Sequence, residues 1–185
     1  MDYLLIYGVF GGIICSYKFR FVEVTDVAKV YMMCGKICSG KSTHAAELRY
    51  LHHAVVLSVD EITLALFGQD AGDKHDEYVA KAKHYLYEKS VEIVHEGISV
   101  VLDWGFWKKE ERLLARNYYS SKGIEYEFHY IDIPYHEWVR RIEKRNQEIA
   151  EGKTSGYYVD EGLFAKFESI FEIPAESEIA VWIKR

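Results

Sequence analysis

The segment of the 185-residue chain with the clearest chemistry is an octapeptide followed by a threonine: Gly35-Lys36-Ile37-Cys38-Ser39-Gly40-Lys41-Ser42 and then Thr43. It fits the pattern G-x-x-x-x-G-K-[ST], whose glycines let the backbone curl so that successive N–H groups point at phosphate oxygens. The lysine of this pattern reaches the β- and γ-phosphates, and the final hydroxyl binds Mg²⁺. We therefore predict that residues 35–43 bind ATP, with Lys41 on the phosphates and Ser42 on Mg²⁺.

Cys38 places a thiol inside this segment, three residues before Lys41 and close to the start of a predicted helix. A neighbouring cation and a helix N-terminus both favour the reactive thiolate form of cysteine. We predict that Cys38 is alkylated readily and that bound ATP protects it. The alternative is that Cys38 is only a small residue that fits the loop.

A carboxylate, that of Asp60, follows the apolar run 54–59. In a parallel α/β sheet, ligands bind beyond the carboxyl ends of the strands, so this carboxylate is expected near the phosphate-binding segment. There it can act as the base that accepts a proton from an acceptor hydroxyl. The alternative is a structural role, as the N-cap of a helix that begins at Glu61.

A second apolar run, 98–102, ends in Asp103. An apolar strand that ends in aspartate is typical of the Walker-B element, whose carboxylate holds Mg²⁺ through water. We predict this role for Asp103. The aromatic residues that follow it, Trp104, Phe106 and Trp107, either line an acceptor site or pack in the core.

Arg141 and Arg145 are four residues apart and therefore share one face of a predicted helix. A polar loop that contains glycine, 151–156, follows this helix. We predict that residues 141–157 form a small helical lid whose arginines stabilise the transferring phosphoryl group. The alternative is a solvated helix surface on which glutamates pair with the arginines.

The elements that must position these residues alternate along the chain. Short runs rich in Val, Ile and Tyr predict five strands, whereas longer stretches with a 3.6-residue period predict six helices. The predicted strands are Val30–Cys34, Ala54–Ser58, Ser99–Asp103, Glu125–Ile133 and Ile179–Ile183. The predicted helices are Ser42–His53, Glu61–Phe67, Lys74–Glu96, Lys108–Lys122, Tyr135–Ala150 and Asp160–Phe171.

Strands that alternate with helices indicate βαβ units. We predict an α/β fold with a mostly parallel five-stranded sheet and helices on both faces, formed by one domain over residues 29–185. Hydrophobic residues (49%) and charged residues (28%) have the proportions of a globular chain. The net charge of −6 provides no general attraction for nucleic acids or anionic membranes. Three cysteines without CxxC spacing favour a reducing, cytoplasmic location.

Residues 1–28 are predicted to form an N-terminal extension with no assigned role. The apolar run 3–17 is shorter than the ~20 residues of a membrane span and contains three glycines, so we expect no membrane segment. An extra strand or an irregular extension fits it best. The alternatives are a native start near Val30 or Met32 and, less favoured, a membrane anchor.

Four segments resemble the P-loop kinase-like "AAA domain" ATP-binding proteins: GKICSGKST, LSVDEITLALFG, VVLDWGFWKKEER and WVRRIEKRN. This family is similar to zeta toxins, chloramphenicol phosphotransferase and the kinase domain of polynucleotide kinase. The resemblance covers about residues 29–173 and implies a nucleoside-kinase-like core with a lid. It implies that Asp60 is the base that activates a hydroxyl, and that Arg141 or Arg145 is the lid arginine.

The acceptor is not carried over by this resemblance, because the segments after Asp60 match no subfamily. The short stretch 68–73 leaves little room for a large recognition insertion, and the chain is acidic. We therefore expect transfer of the γ-phosphoryl group of ATP to a hydroxyl of a small molecule, in preference to a nucleic acid. The alternatives are a polynucleotide 5′-hydroxyl kinase and a nucleotide-sensing ATPase module.

Overall fold

The structure, a computed structural model, describes residues 3–10, 13–20, 27–69, 72–154 and 156–185. Within the predicted N-terminal extension, strands β1 (Tyr3–Phe10) and β2 (Ile13–Arg20) pair in antiparallel fashion. Residues 1–2, 11–12 and 21–26 of this extension lie outside the described residues, as do residues 70–71 of the short stretch 68–73 and Ser155 of the predicted lid.

All five strands and six helices predicted for the rest of the chain are present, and their ends differ from the prediction by no more than two residues. The strands are β3 (Val30–Cys34), β4 (Val55–Ser58), β5 (Val100–Asp103), β6 (Tyr126–Asp132) and β7 (Val181–Lys184). The helices are α1 (Lys41–His52), α2 (Val59–Phe67), α3 (His75–His95), α4 (Lys109–Ser121), α5 (Tyr135–Ala150) and α6 (Glu161–Ile170).

The five strands form one sheet in the order β4-β5-β3-β6-β7, and every neighbouring pair is parallel. β3, the first of them in the chain, lies in the centre, with Val30 opposite Val100 on one side and Tyr126 on the other. Because all strands run in one direction, the segments that follow β3, β4 and β5 meet at the same edge of the sheet.

The alternation of side chains along β3 explains why both faces of the sheet are covered. Met32 belongs to a cluster with residues of α3 and α4, such as Leu86 and Tyr119, whereas Met33 packs with residues of α1 and α5, such as Leu48 and Trp138. Buried parallel strands need apolar side chains on both faces. The predicted parallel sheet with helices on both faces is confirmed. Within the described ranges, no helix has the length and apolar character that crossing a bilayer requires.

Candidate functional site

The loop between β3 and α1 has a backbone that only glycine accommodates at two positions. Gly40 has a φ of 103°, and Gly35 has a φ of 147°. A Cβ atom at position 35 would lie 2.9 Å from the carbonyl oxygen of Ile131 and from Ser39 Oγ. The glycines of the sequence pattern are therefore required by the geometry of this loop.

The N-terminus of α1 provides unpaired hydrogen-bond donors. Its N-cap, Gly40, has no capping side chain, and its first turn carries no acidic residue. The first N–H groups of a helix lack partners within the helix, and the helix dipole makes this end positive. Ser39 Oγ is buried beneath the loop, without a hydrogen-bond partner in the described part of the chain. This arrangement fits the phosphate chain of a nucleotide.

Lys41 is the first residue of α1, and its ammonium Nζ donates to the carbonyl oxygen of Lys36 at 2.7 Å. Burial lowers the pKa of Lys41, although the carboxylates of Asp103 and Asp60 oppose this effect. A partly dehydrated ammonium group interacts more strongly with phosphate than one in bulk water. The position of Lys41 thus suits contact with phosphates in the loop.

Ser42 and Asp103 approach each other from different elements, since the Ser42 hydroxyl forms a hydrogen bond with the Asp103 carboxylate. Asp103 ends β5 and is half-buried. Burial raises the pKa of Asp103, and the hydrogen bond from Ser42 opposes this rise. A hydroxyl and a carboxylate are oxygen donors of the kind that Mg²⁺ prefers, so this pair fits the predicted magnesium site.

The nine residues of the predicted ATP-binding segment differ in whether they line a cavity. Six of the nine line a cavity of about 620 Å³: Ile37, Cys38, Gly40, Lys41, Ser42 and Thr43. Lys36 instead places its ammonium 4.3 Å above the ring of the buried Trp138, whose indole N–H donates to the carbonyl of Ile37 at 2.8 Å. The side chain of Lys36 therefore fixes the loop to α5.

Asp60 lies in the first turn of α2 and its side chain is exposed. The N-cap of this helix is Ser58, whose hydroxyl accepts from the N–H of Glu61 at 3.3 Å. The alternative prediction, that Asp60 caps the helix, is wrong because α2 begins two residues earlier than its sequence pattern indicated. The carboxylate is consequently available to contact a ligand.

The predicted lid arginines both contact the phosphate-binding loop. Arg141 donates from Nη1 to the carbonyl of Ser39 at 2.9 Å, and Arg145 Nη1 lies 3.5 Å from Cys38 Sγ. Arg141 also donates to Glu137 at 2.6 Å. Hydrogen bonds from Arg140 and Arg141 lower the pKa of Glu137 to about 2. The pairing with glutamate that the alternative predicted thus holds for Arg140 and for Arg141, but Arg141 and Arg145 also line the first cavity.

Arg185 is a site residue that the sequence analysis missed. A Cβ atom at Gly40 would lie 3.4 Å from its Nη1 and 3.5 Å from that of Arg141, so two guanidinium groups flank this glycine. Arg185 follows β7 and pairs with Glu47 of α1 at 3.2 Å. No motif contains it, and only the parallel pairing of β6 with β7 brings it to the loop.

A second cavity, of about 560 Å³, adjoins the first. The two cavities share three lining residues: Ile37, Lys41 and Asp60. The first holds the phosphate-binding loop and the arginines, whereas the second is lined by aromatic residues that include Trp104, Phe106 and Trp107. Both interpretations of these aromatics apply, since Trp104 and Phe106 also stack in the core with ring centres 5.3 Å apart.

The segment that follows β5 is held by the buried Arg112. Phe106 adopts a left-handed φ of 43°, which is unfavourable for a side chain with a Cβ atom. Arg112 donates to its carbonyl oxygen at 3.2 Å and forms an ion pair with Glu178 at 3.1 Å. The guanidinium of Arg112 thus has hydrogen-bond partners inside the protein, and it holds in place the backbone of Phe106, which lines the second cavity.

The fold of the chain is similar to the folds of solved kinases and of a putative kinase. The chain is similar to the APS kinase of Mycobacterium tuberculosis, solved with AMPPNP and APS, at 20% identity, a TM-score of 0.61 and coverage of 85% of this chain and 88% of that one. It is similar to a putative kinase from Chloroflexus aurantiacus at 17% identity, a TM-score of 0.65 and coverage of 86% and 88%. A sugar kinase from a Janibacter species matches at 16% identity, a TM-score of 0.60 and 85% coverage of both chains. These likenesses show the P-loop kinase fold.

No curated protein matches the chain significantly. The sequence profile of the AAA domain family, in contrast, matches residues 30–172, from the central strand β3 to the segment after α6. This confirms the family that the motifs predicted. Because the match spans well over half of the sequence, and the phosphate-binding loop, Asp103 and the lid arginines all lie inside it, the chain belongs to the AAA domain family.

Proposed function

We propose that the protein is an ATP- and Mg²⁺-dependent phosphotransferase that moves the γ-phosphoryl group to a hydroxyl of a small molecule. The observation that carries this proposal is the junction of two cavities at Lys41 and Asp60. A transferase must hold a donor and an acceptor side by side, with a cation for the phosphates and a base for the hydroxyl between them. These two residues supply that cation and that base.

In the first cavity, the loop amides and Lys41 hold the phosphates of ATP. Ser42 and Asp103 would hold Mg²⁺, which when bound neutralises the charge on the β- and γ-phosphates. Arg141 and Arg145, which contact the loop from α5, add two guanidinium groups. Donors fixed in advance stabilise the charge of the transition state without reorganisation during the reaction.

In the second cavity, the acceptor presents its hydroxyl to Asp60. The hydroxyl oxygen forms a bond to the γ-phosphorus while the bond from that phosphorus to the bridging oxygen of ADP breaks. The hydroxyl proton passes to the Asp60 carboxylate, so the products are the phosphorylated acceptor and ADP. Ser58 supports this role, because it caps α2 and leaves the Asp60 carboxylate unengaged by the helix end.

The test is ADP production from Mg-ATP, alone and with pools of nucleosides, sugars, aminoglycoside and phenicol antibiotics, and a 5′-hydroxyl oligonucleotide. We expect one small-molecule pool to stimulate ADP production. We expect Asp60→Asn to retain ATP binding but to lose about a hundredfold or more of this transfer, as for a lost general base. Asp73→Asn is the matched control, because Asp73 is exposed and lines neither cavity.

Other outcomes would identify the alternatives. Stimulation by the oligonucleotide alone, with a steep dependence on salt, would indicate a polynucleotide kinase. Slow hydrolysis that no pool changes would indicate a nucleotide-sensing ATPase module. Near-normal transfer by Asp60→Asn would remove Asp60 from the role of base.

A further inference from the structure

Carboxylates line both cavities in equal number, but three arginines line the first cavity and none of the described residues that line the second cavity is an arginine. Of the described residues that line it, four carry carboxylates and three carry ammonium groups. Two of the ammonium groups are already paired: Lys83 Nζ lies 2.8 Å from a carboxylate oxygen of Glu111, and Lys166 Nζ lies 3.8 Å from one of Asp76. The third, that of Lys41, donates to the phosphate-binding loop.

Two further carboxylates, those of Asp60 and Asp160, face this cavity in addition to the paired ones. Asp160 caps α6, where its Oδ1 accepts from the N–H of Leu163 at 2.7 Å. An anionic group on a ligand would meet these carboxylates and would have to displace Glu111 or Asp76 to reach Lys83 or Lys166, while Lys41, at the junction with the first cavity, is engaged by the phosphates of ATP under the proposed function. With Lys83 and Lys166 already paired, the second cavity therefore disfavours phosphate, sulfate and carboxylate groups, whereas the first cavity offers them its arginines and the N–H groups of the phosphate-binding loop.

The walls of the second cavity are flat and aromatic. Trp107 packs edge-on against Phe167, with ring centres 4.8 Å apart. Tyr157 donates its hydroxyl to Thr63 at 2.9 Å, so its position is fixed, while the neighbouring Tyr158 is 54% exposed. Exposed aromatic faces beside fixed ones offer stacking surfaces to a planar ligand, and they also attract cations. The volume of about 560 Å³ suits a molecule with one or two fused rings.

Resting on the proposed function, we infer that the phosphate acceptor is an aromatic alcohol that is neutral or positively charged and carries no anionic group. The charged residues of the two cavities then favour different substrates: ATP binds in the first cavity, which arginines line, and the acceptor binds in the second. The ion pair between Lys83 of α3 and Glu111 of α4 lies at the wall of the second cavity. A single substitution at Glu111 therefore changes the charge that a ligand meets there.

Three indole alcohols that differ in charge test the inference: tryptophol (neutral), tryptophanol (cationic) and indole-3-lactate (anionic). Their binding to the protein saturated with Mg-ADP is measured by calorimetry. We expect the neutral and cationic compounds to bind at least tenfold more tightly than the anion. Equal or tighter binding of indole-3-lactate, or no saturable binding of any of the three, would overturn the inference.

Glu111→Gln provides the matched variant. It frees Lys83, while the glutamine can still accept from the N–H of Lys108 as the glutamate does at 3.2 Å. We expect this variant to improve the binding of indole-3-lactate at least tenfold relative to tryptophol. An unchanged ratio in a variant with the wild-type melting temperature would contradict the charge argument.

The same compounds separate this inference from the proposed function, because binding is measured without transfer. If binding follows the expected order and ADP production is never stimulated, the phosphotransferase proposal fails and the cavity assignment holds. If anionic alcohols stimulate ADP production best, the phosphotransferase proposal holds and the inference about the acceptor fails.

Discussion

The indole N–H of Trp107 donates to the carbonyl oxygen of Gly35 at 3.1 Å. The N–H of Gly35 in turn donates to the carbonyl of Gly105, also at 3.1 Å. Any side chain at position 105 would overlap the Trp107 ring, so glycine is required there. One aromatic residue thus forms part of the second cavity and fixes the first residue of the phosphate-binding loop.

Trp107→Phe keeps a ring in place but removes this hydrogen bond. We expect the free energy of unfolding to fall by about 0.5–1.5 kcal/mol and the Kd for Mg-ADP to rise about fivefold, because the loop is less firmly held. Urea unfolding and calorimetry measure the two effects. The control is Trp182→Phe, which removes the indole hydrogen bond to Asp132 in β6, away from both cavities. It should cost similar stability and leave the Kd unchanged; an equal rise in Kd would contradict this account.

Gly156 is buried against the guanidinium of Arg145, with a φ of 149°. A methyl group there would overlap Arg145 Nη2 and push it off the loop. We therefore expect Gly156→Ala to lower kcat about tenfold or more, as expected when a donor to the transition state is misplaced.

Gly152→Ala is the matched control for this prediction. Gly152 also has a positive φ, 68°, but a Cβ atom there would meet open space. Both variants should lose about 1 kcal/mol of stability, and only Gly156→Ala should lose kcat. Equal losses of kcat would show that backbone strain, and not Arg145, is responsible.

The parts of the site that the sequence predicted are those defined by short spacing or by strand ends. The phosphate-binding loop, Asp60, Asp103 and the pair Arg141 and Arg145 all belong to this class. The prediction that Asp60 caps α2 failed because Ser58, two positions earlier, is also a good N-cap residue and is the one that caps the helix. The start of the helix decides between them, and helix ends are the least certain feature of a sequence pattern.

Contacts across long separations could not be predicted. Arg185 reaches Gly40 only because β7 pairs with β6, and Arg145 reaches Gly156 only because the chain turns back after α5. The burial of Arg112 could not be predicted either, since an arginine in a helical pattern is usually solvated. Its burial depends on Glu178, 66 residues later, and one sequence does not indicate that pair.

The pKa of Asp103 links the metal site to stability. Because burial raises this pKa, the folded protein keeps the Asp103 proton to higher pH than the unfolded chain, where the pKa is about 3.9. The free energy of unfolding of the metal-free protein therefore falls as the pH rises through the interval between these two pKa values.

Asp103→Asn removes this loss of stability. We expect the free energy of unfolding of the metal-free variant to fall less than that of the wild type as the pH rises through this interval, because asparagine does not ionise. The gain in stability when Mg²⁺ and ADP are added together should also be smaller, since the variant lacks the Asp103 carboxylate. Urea titrations between pH 3.5 and 7.5 measure both effects, and Asp73→Asn serves as the control. An equal fall in the variant and in the wild type would contradict the burial argument.

Alkylation of Cys38 reports directly whether a nucleotide occupies the phosphate-binding loop. It is half-buried, lines the first cavity and lies beside Arg145. We expect iodoacetamide to alkylate it in the free protein and bound ATP to protect it. Cys34 is the internal control, because burial raises its pKa to about 12 and keeps the thiol unreactive. Mass spectrometry of the digested protein reads both sites, and equal labelling of Cys38 with and without ATP would contradict the prediction.

The central position of β3 has a consequence for synthesis on the ribosome. β3 is the first strand of its sheet to be translated, yet its two partners begin at Val100 and Tyr126. At about 5–20 residues per second, the second partner emerges roughly 5–20 s after β3. Pairings between such distant segments also slow folding, because long loops must close first. The residues of the phosphate-binding loop are therefore synthesised early, but the sheet that holds them in place forms late. The nascent chain gains affinity for nucleotide only when most of the domain has been made.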